Sequence, residues 1–232
     1  RWSNGASVTA HDFRYSWMRL LTPDTASDYS NFFFSIQGAQ EFWDMRTTQL
    51  HDGVVLTMEE LVEAFNETVG IRVMDDLTIQ IDLVQQVPYF LDQLALAVCG
   101  PVFRPSVEGW KVDGATHRKI IDNGWHTVTP PPMSDRRWIS IDEDSGRIKQ
   151  EYLWARPDTL IGNGPFVLTK WRYKRDMRLT RNPYYHDPAL TTIDSIQAIT
   201  IADANTAVLA FETGQVDWLS GVNVDYQSDM LD

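Results

Sequence analysis

Three histidine–aspartate neighbours stand out in a chain with five histidines: His11-Asp12, His51-Asp52 and His186-Asp187. A metal-dependent hydrolase would need such groups to converge at ligand spacing, and none of the three sits in a local His/carboxylate ligand pattern. Each pair has a plainer use. Asp12 falls three residues after Thr9 at a helix start, Asp52 precedes Gly53, and His186-Asp187 runs into Pro188. Ser3, Ser7 and Ser16 lie near His11 in the sequence, but a nucleophilic triad is a spatial arrangement that this nearness does not supply. The GxSxG, GxxxxGK[ST] and GxGxxG patterns do not occur. Carboxylate pairs for glycoside hydrolysis could be drawn from any acidic protein and carry no signal. The residues therefore make no positive case for catalysis, a metal or a cofactor. One cysteine, Cys99, lies in the apolar run "LALAVCGP" and reads as an inert buried thiol.

The chain has 232 residues, of which 43% are hydrophobic and 12% aromatic, with nine tryptophans. That length fits one large domain or two small ones. The net charge of -12 repels phosphate backbones and argues against nucleic acid as a partner. No run of apolar residues is long enough to span a membrane. The excess of aromatics suits a core, and Trp and Tyr also line sugar and peptide pockets.

The elements follow from punctuation and period. Asn4-Gly5 signals a turn close to Arg1, so a hairpin arm is expected upstream of it. Thr9 and Asp12 form a helix start, followed by Phe13, Trp17, Leu20 and Leu21 at helical spacing and a stop at Pro23. Residues 25–35, "TASDYSNFFFS", are irregular and aromatic. Thr57 and Glu60 form a second capping box before Leu61, Val62 and Phe65. Residues 71–83 read as a hairpin turning at Asp75-Asp76, and Pro88 opens a short helix, "PYFLDQLAL". Residues 104–158 read as loops plus one hairpin over 138–154, turning in the acidic stretch Asp142-Glu143-Asp144 beside Ser145-Gly146. A further hairpin follows Gly164-Pro165, with Phe166 and Leu168 answering Met177 and Leu179. Residues 193–201 read as a strand, and Asp203 caps a helix with Val208, Leu209 and Phe211 inside and Gly214 at its end. "VDWLSG" (216–221) reads as the next strand. Strands mixed with helices predict an α/β (mixed α+β) class.

Five segments, in order, resemble the family 5 bacterial extracellular solute-binding proteins, the dipeptide and oligopeptide receptors of ABC importers. They are "RWSNGASVTAHDFRYSWMRLLTPDTAS", "IQGAQEFWD", "GIRVMDDLTIQIDLVQQVPYFLDQLA", "IGNGPFVLTKWRYKRDMRLTRNPYYHD" and "FETGQVDWL". Together they cover about half the chain. Most of the matching positions set turns, caps and bends, so the motif marks the fold more than the ligand.

The resemblance implies a class II periplasmic-binding-protein fold, two-lobed in the intact protein, of which this chain supplies mostly one lobe. It implies that the arm before Arg1 lies upstream and that faces buried in the parent are exposed here, so that self-association is expected. Residues 1–158 are then a subdomain of lobe I with insertions at 45–66 and 104–158. Residues 159–232 are its sheet-and-helix part, truncated at the C-terminus. The implied partners are a short peptide and a membrane ABC permease, in a periplasmic or cell-surface setting, without a cofactor. An oligosaccharide, nickel, haem or a sensory role are the alternatives that resemblance leaves open, with the five scattered histidines arguing against nickel. Within this lobe the expected ligand-facing residues are Tyr29, Asn31, Phe32 and Phe33 in the aromatic stretch and Trp218 and Ser220 near the C-terminus. The groups that fix a peptide's charged ends are expected in the other lobe.

Overall fold

The computed structural model describes residues 1–108, 117–121, 124–128, 139–142, 144–150, 152–157 and 159–221. Helix α1 (Ala10–Leu21) is the centre of the first part and packs on nearly everything around it. Its start is set as the sequence predicts. The Asp12 carboxylate accepts the Thr9 N–H at 2.8 Å and, from outside the helix, the Trp2 indole N–H at 3.3 Å. Trp17, Met18, Leu20 and Leu21 are buried, and the helix stops one residue before the Pro23 turn.

Helix α2 (Ala39–His51) precedes the capping box at Thr57, and the periodicity does not announce it. It buries only Ala39, Phe42 and Arg46, so its inward stripe is narrow and includes a charge. Helix α3 (Met58–Thr68) follows, with the Thr57 Oγ1 accepting the Glu60 N–H and the Glu60 carboxylate accepting the Thr57 N–H. Leu61 and Phe65 of α3 join Trp17, Leu21, Phe33, Ile36 and Phe42 in one apolar cluster. Burying each such large side chain contributes about 1.5–3 kcal/mol. The stretch expected as an insertion at 45–66 thus supplies Arg46, Leu61 and Phe65 to the interior.

Strands β1 (Ile71–Asp75) and β2 (Thr78–Ile81) form the expected hairpin, with Ile71 opposite Ile81 and Val73 opposite Ile79. Residues 35–38 clip it to the start of α2 through Gln37 N–H to Asp82 C=O, Gly70 N–H to Gln37 C=O and Val84 N–H to Ser35 C=O. The helix opened by Pro88 is shorter than expected: α4 (Phe90–Leu94) gives way to a 3-10 turn at Ala97–Cys99. Helix α5 (Arg104–Glu108) begins the stretch expected to hold one hairpin, and two are present. Strand β3 (His117–Ile121) pairs with β4 (Gly124–Val128), and β5 (Ile139–Ile141) with β6 (Ile148–Gln150). The expected acidic turn closes the second, with Gly146 N–H bonded to Asp142 C=O at 2.8 Å.

The remaining sheet is β7 (Phe166–Arg172), β8 (Asp176–Arg181) and β9 (Ser195–Ile199), all antiparallel. Leu168 lies opposite Leu179 as expected. In that same register Phe166 faces Arg181, and beyond a bulge between Leu168 and Lys170 Met177 faces Trp171. Helix α6 (Ala204–Glu212) is capped by Asp203, whose carboxylate accepts the Thr206 N–H at 2.8 Å.

Two sequence expectations are corrected here. Leu209 and Phe211 are not inside: they are 58% and 40% exposed, and α6 turns Val208 and Ala210 inward instead. Residues 216–221 are not a strand: among the described residues no strand pairs with them, and the Val216 N–H turns back to the Ala210 carbonyl. The expected Asn4-Gly5 turn is present: Gly5 N–H donates to Trp2 C=O and Trp2 N–H to Ala6 C=O, and its outer side pairs with residue 162. Ser3 N–H donates to the Gly162 carbonyl at 2.7 Å, and Trp2 is buried against Phe103 and Ile161.

Two predictions follow from this fold. The three-stranded sheet presents Trp171, Met177 and Ile196 half-exposed on one face. The outer edge of β9 carries no partner strand among the described residues and has no charged residue. Such an edge templates pairing with another chain. The 232-residue chain is therefore expected to self-associate as its concentration rises, and Ile196→Lys to suppress it. A concentration-independent monomer mass by light scattering contradicts this.

The second concerns acid. Lys149 and Ser145 hold the Asp142 carboxyl far below its ordinary 3.8, Arg172 holds Asp176 below it, and the Thr206 hydroxyl and N–H hold Asp203 below it. The Thr57 N–H and hydroxyl likewise hold Glu60 below 4.5. A carboxyl depressed by folding stabilises the native state fully above its unfolded value, and that contribution is lost as pH falls through the folded value. Melting temperature is thus expected to be flat down to about pH 5 and to fall below about pH 4. Thermal melts across that range check it, and a melting temperature that rises on acidification refutes it.

Candidate functional site

The aromatic stretch is a loop held at several points. A 3-10 turn at Pro23–Thr25 leads to Ala26 in the left-handed region (φ 50°, ψ 44°), and a second 3-10 turn spans Ser30–Phe33. The loop is stitched to the end of α1 by hydroxyls. Thr22 Oγ1 donates to Met18 C=O at 2.7 Å, Thr25 Oγ1 to Arg19 C=O at 2.7 Å, and Ser30 Oγ to Leu20 C=O at 2.8 Å. These bonds give the irregular segment the backbone partners that a helix or sheet would otherwise supply.

The expected site residues divide. Tyr29 is 47% exposed and its ring meets Phe32 edge-on, 5.3 Å between centroids. Asn31 is exposed beside them and Phe32 is half-buried. Phe33 turns the other way and is fully buried, 5.7 Å from the Trp17 ring. Trp218 is 77% exposed and Ser220 is exposed, both beyond α6. Among the described contacts, the rings of Tyr29 and Phe32 are brought together, and none links them to Trp218 or Ser220.

Next to the loop lies an open hollow of about 190 Å³ lined by Ser16, Arg19, Leu20, Thr25, Ser27 and Val98, with Gly100 and Val102. Its far wall is fixed to α1: the Trp17 indole N–H donates to the Cys99 carbonyl at 2.8 Å, and the Val102 N–H to Ser16 Oγ at 2.7 Å. Arg19 sits at 5.9 Å from the Tyr15 ring and 5.6 Å from the Trp154 ring, a geometry in which ring faces stabilise its charge. In the sequence none of these residues reads as the wall of a site: Leu20 fits the apolar face of α1 and Ser16 only neighbours His11. Arg19 reads as the polar face of a helix, and the wall at 98–102 is an apolar run with no period.

The geometry offers stacking surface, hydroxyls and one cation, which suits recognition of a ligand carrying apolar and polar groups. The His–Asp neighbours do other work. Asp12 caps α1, His11 lies 3.8 Å from Asp76, His51 contacts Asp52 at the surface, and the His186 ring packs on Tyr185 at 4.4 Å. Among the described residues no three His, Cys, Asp or Glu side chains converge on a point. No helix among them is long and apolar enough to cross a membrane.

The family model for bacterial extracellular solute-binding proteins, family 5 Middle, matches residues 1–231, and the chain belongs to that family. It is 26% identical over 219 residues to the periplasmic oligopeptide-binding protein OppA of Salmonella typhimurium, covering 94% of this chain and 30% of that protein. It is 23% identical to the probable deoxycholate-binding periplasmic protein YgiS of Escherichia coli, again over 94% of this chain and 30% of that protein. Among solved structures, Haemophilus influenzae OppA in complex with RPPGFSPFR superposes with a TM-score of 0.68 at 21% identity, covering 99% of this chain and 34% of that one. The fold is therefore that of a periplasmic-binding-protein portion, and the chain spans about a third of the length of the relatives it matches.

Proposed function

We propose that the chain is part of an extracytoplasmic receptor that captures short peptides and delivers them to an ABC permease. The observation that carries this is the Tyr29–Phe32 pair, set on a hydroxyl-pinned loop beside the 190 Å³ hollow. It sits on a fold shared with a protein solved in complex with a peptide. An aromatic edge supplies tolerant apolar contact, while hydroxyls and backbone groups serve the peptide's polar main chain. Capture would work by closure of two lobes, with the closed form read by the permease. In this reading residues 1–158 and 159–232 are two parts of lobe I. The stretches 45–66 and 104–158 are additions to that lobe, the first of them built into the interior through Leu61 and Phe65.

The test is made on the full gene product, purified without denaturant and then denatured, with the released small molecules identified by mass spectrometry. Short peptides are the expected release, and Tyr29→Ala is expected to weaken peptide binding about tenfold in calorimetry. An unchanged affinity in Tyr29→Ala moves the contact away from this loop. A second reading, an amphipathic sterol-like solute, is favoured by the match to a probable deoxycholate-binding relative. Release of such a solute in place of peptides would make it the leading one.

A further inference from the structure

Arg46 and Asp24 both have buried side chains, and their contacts tie together three stretches far apart in the sequence, at 24, 46–54 and 146–148. Arg46, on α2, donates from Nε to Asp24 Oδ2 at 2.9 Å and from Nη2 to Asp24 Oδ1 at 2.8 Å. Its Nη2 also donates to the Gly146 carbonyl at 2.8 Å, and its Nη1 to the Val54 carbonyl at 3.3 Å. Asp24 Oδ1 accepts a further bond, from the Ile148 N–H at 2.7 Å. Asp24 begins the aromatic loop, five residues before Tyr29, while Gly146 and Ile148 belong to the β5–β6 hairpin.

The approach of that hairpin is close. Gly146 has φ +63°, and a Cβ there would stand 2.4 Å from the Val54 carbonyl oxygen. Between Met18, Leu61 and Ile148 the leftover space is about 10 Å³, no more than one water would need. Ala26, between the buried carboxylate and Tyr29, holds a left-handed backbone that a side chain adopts only under constraint from its surroundings.

We propose that the β5–β6 hairpin is a brace for the ligand-facing loop, and that Asp24 and Arg46 are positioning residues that transmit it to Tyr29 and Phe32. The proposal rests on the reading of that loop as a peptide contact. On this account the hairpin is not neutral decoration of the lobe. Its Ile148 N–H and Gly146 carbonyl fix the Asp24–Arg46 pair. The pair fixes the first 3-10 turn, and that turn sets where residues 26–33 emerge beside the hollow. Tyr29 and Phe32 on an unconstrained loop would lose more rotamer and backbone freedom on binding, so the brace acts through affinity rather than through contact with the ligand.

The experiment uses the full gene product with the nonapeptide RPPGFSPFR as probe. Gly146→Ala pushes the hairpin off Val54 without altering any residue of the loop or hollow. Asp24→Asn is the second variant, isosteric at the loop end of the brace, used where Gly146→Ala does not fold. Phe103→Ala, in the separate cluster with Trp2 and Ile161, is the control for general destabilisation. Hydrogen exchange over residues 26–33 is expected to quicken about tenfold in the brace variants and not in the control, with peptide affinity falling by a similar factor. Unchanged exchange at 26–33 in a folded brace variant overturns the proposal, as does a control that loses as much affinity. Quickened exchange with unchanged affinity overturns the link to the ligand. If the unaltered protein does not bind the probe, the peptide reading fails, and the exchange measurement still decides whether the hairpin braces the loop.

Discussion

Replacing Arg46 by Met is expected to lower the unfolding free energy by about 3–5 kcal/mol, the usual cost of stranding one member of a buried ion pair. The side chain of Arg46 is 0% exposed and that of Asp24 1%. Without the guanidinium, the Asp24 carboxylate keeps a single donor among the described residues, the Ile148 N–H, with its side chain 1% exposed. The Gly146 and Val54 carbonyls lose a donor as well. The double variant Asp24→Leu/Arg46→Met removes both charges, and a buried pair replaced by apolar side chains of similar volume is often neutral. It is therefore expected to be more stable than Arg46→Met alone. Urea unfolding of the two variants separates the cases. A single variant within about 1 kcal/mol of wild type would mean that the pair is weak or hydrated.

Gly38→Ala is the second substitution expected to be costly, on the order of 3–5 kcal/mol. Two effects add. The residue sits at φ +72°, where an L side chain is strained, and its Cβ would lie 1.8 Å from the Thr68 carbonyl oxygen. The obstacle is backbone at the end of α3, so it cannot swing aside as a side chain would. Relief requires moving α2 relative to α3, and with it the clip of residues 35–38 on the β1–β2 hairpin. Gly53 has a similar φ, +71°, and nothing within 4 Å of a Cβ. Gly53→Ala should then show the backbone strain alone, about 1–2 kcal/mol. Equal losses for the two glycines in thermal or urea unfolding would contradict the clash.

Where local chemistry decides an element, the sequence was sufficient. The starts of α1, α3 and α6 are legible because Thr9, Thr57 and Asp203 make bonds within their own first turn. The β1–β2 and β5–β6 turns are legible for the same reason. Helix α2 was not, since its inward stripe is Phe42 plus a charged residue, and Arg46 is buried only because Asp24 lies across from it. The β3–β4 hairpin lies in a stretch without strand periodicity, and only the Asn123-Gly124 turn signal points to it in the sequence. The exposed Leu209 and Phe211 show the converse failure: an apolar residue at helical spacing says which face is greasy, not whether anything covers it.

The candidate site was half legible. An aromatic cluster in an irregular stretch pointed to Tyr29, Asn31 and Phe32, and composition could not separate them from Phe33, which the 3-10 turn rotates into the interior. The hollow was not legible, because its walls come from α1, the loop and residues 98–102, joined by the long-range bonds of Trp17 and Ser16.

The seat of the first residues bears on how the chain reaches this state. Trp2 and Ser3 find their partners at Ile161 and Gly162, and Gly5 lies under the Tyr184 ring, 3.2 Å from where its Cβ would be. Closing a loop of that length carries an entropic cost that must be met before the contact returns anything. During synthesis residues 2–5 then settle well after they have emerged, and the Trp2 indole waits for its partners until the chain has been made past Tyr184. In a refolding experiment its burial should mark the late step, after the α1–α3 core has already formed.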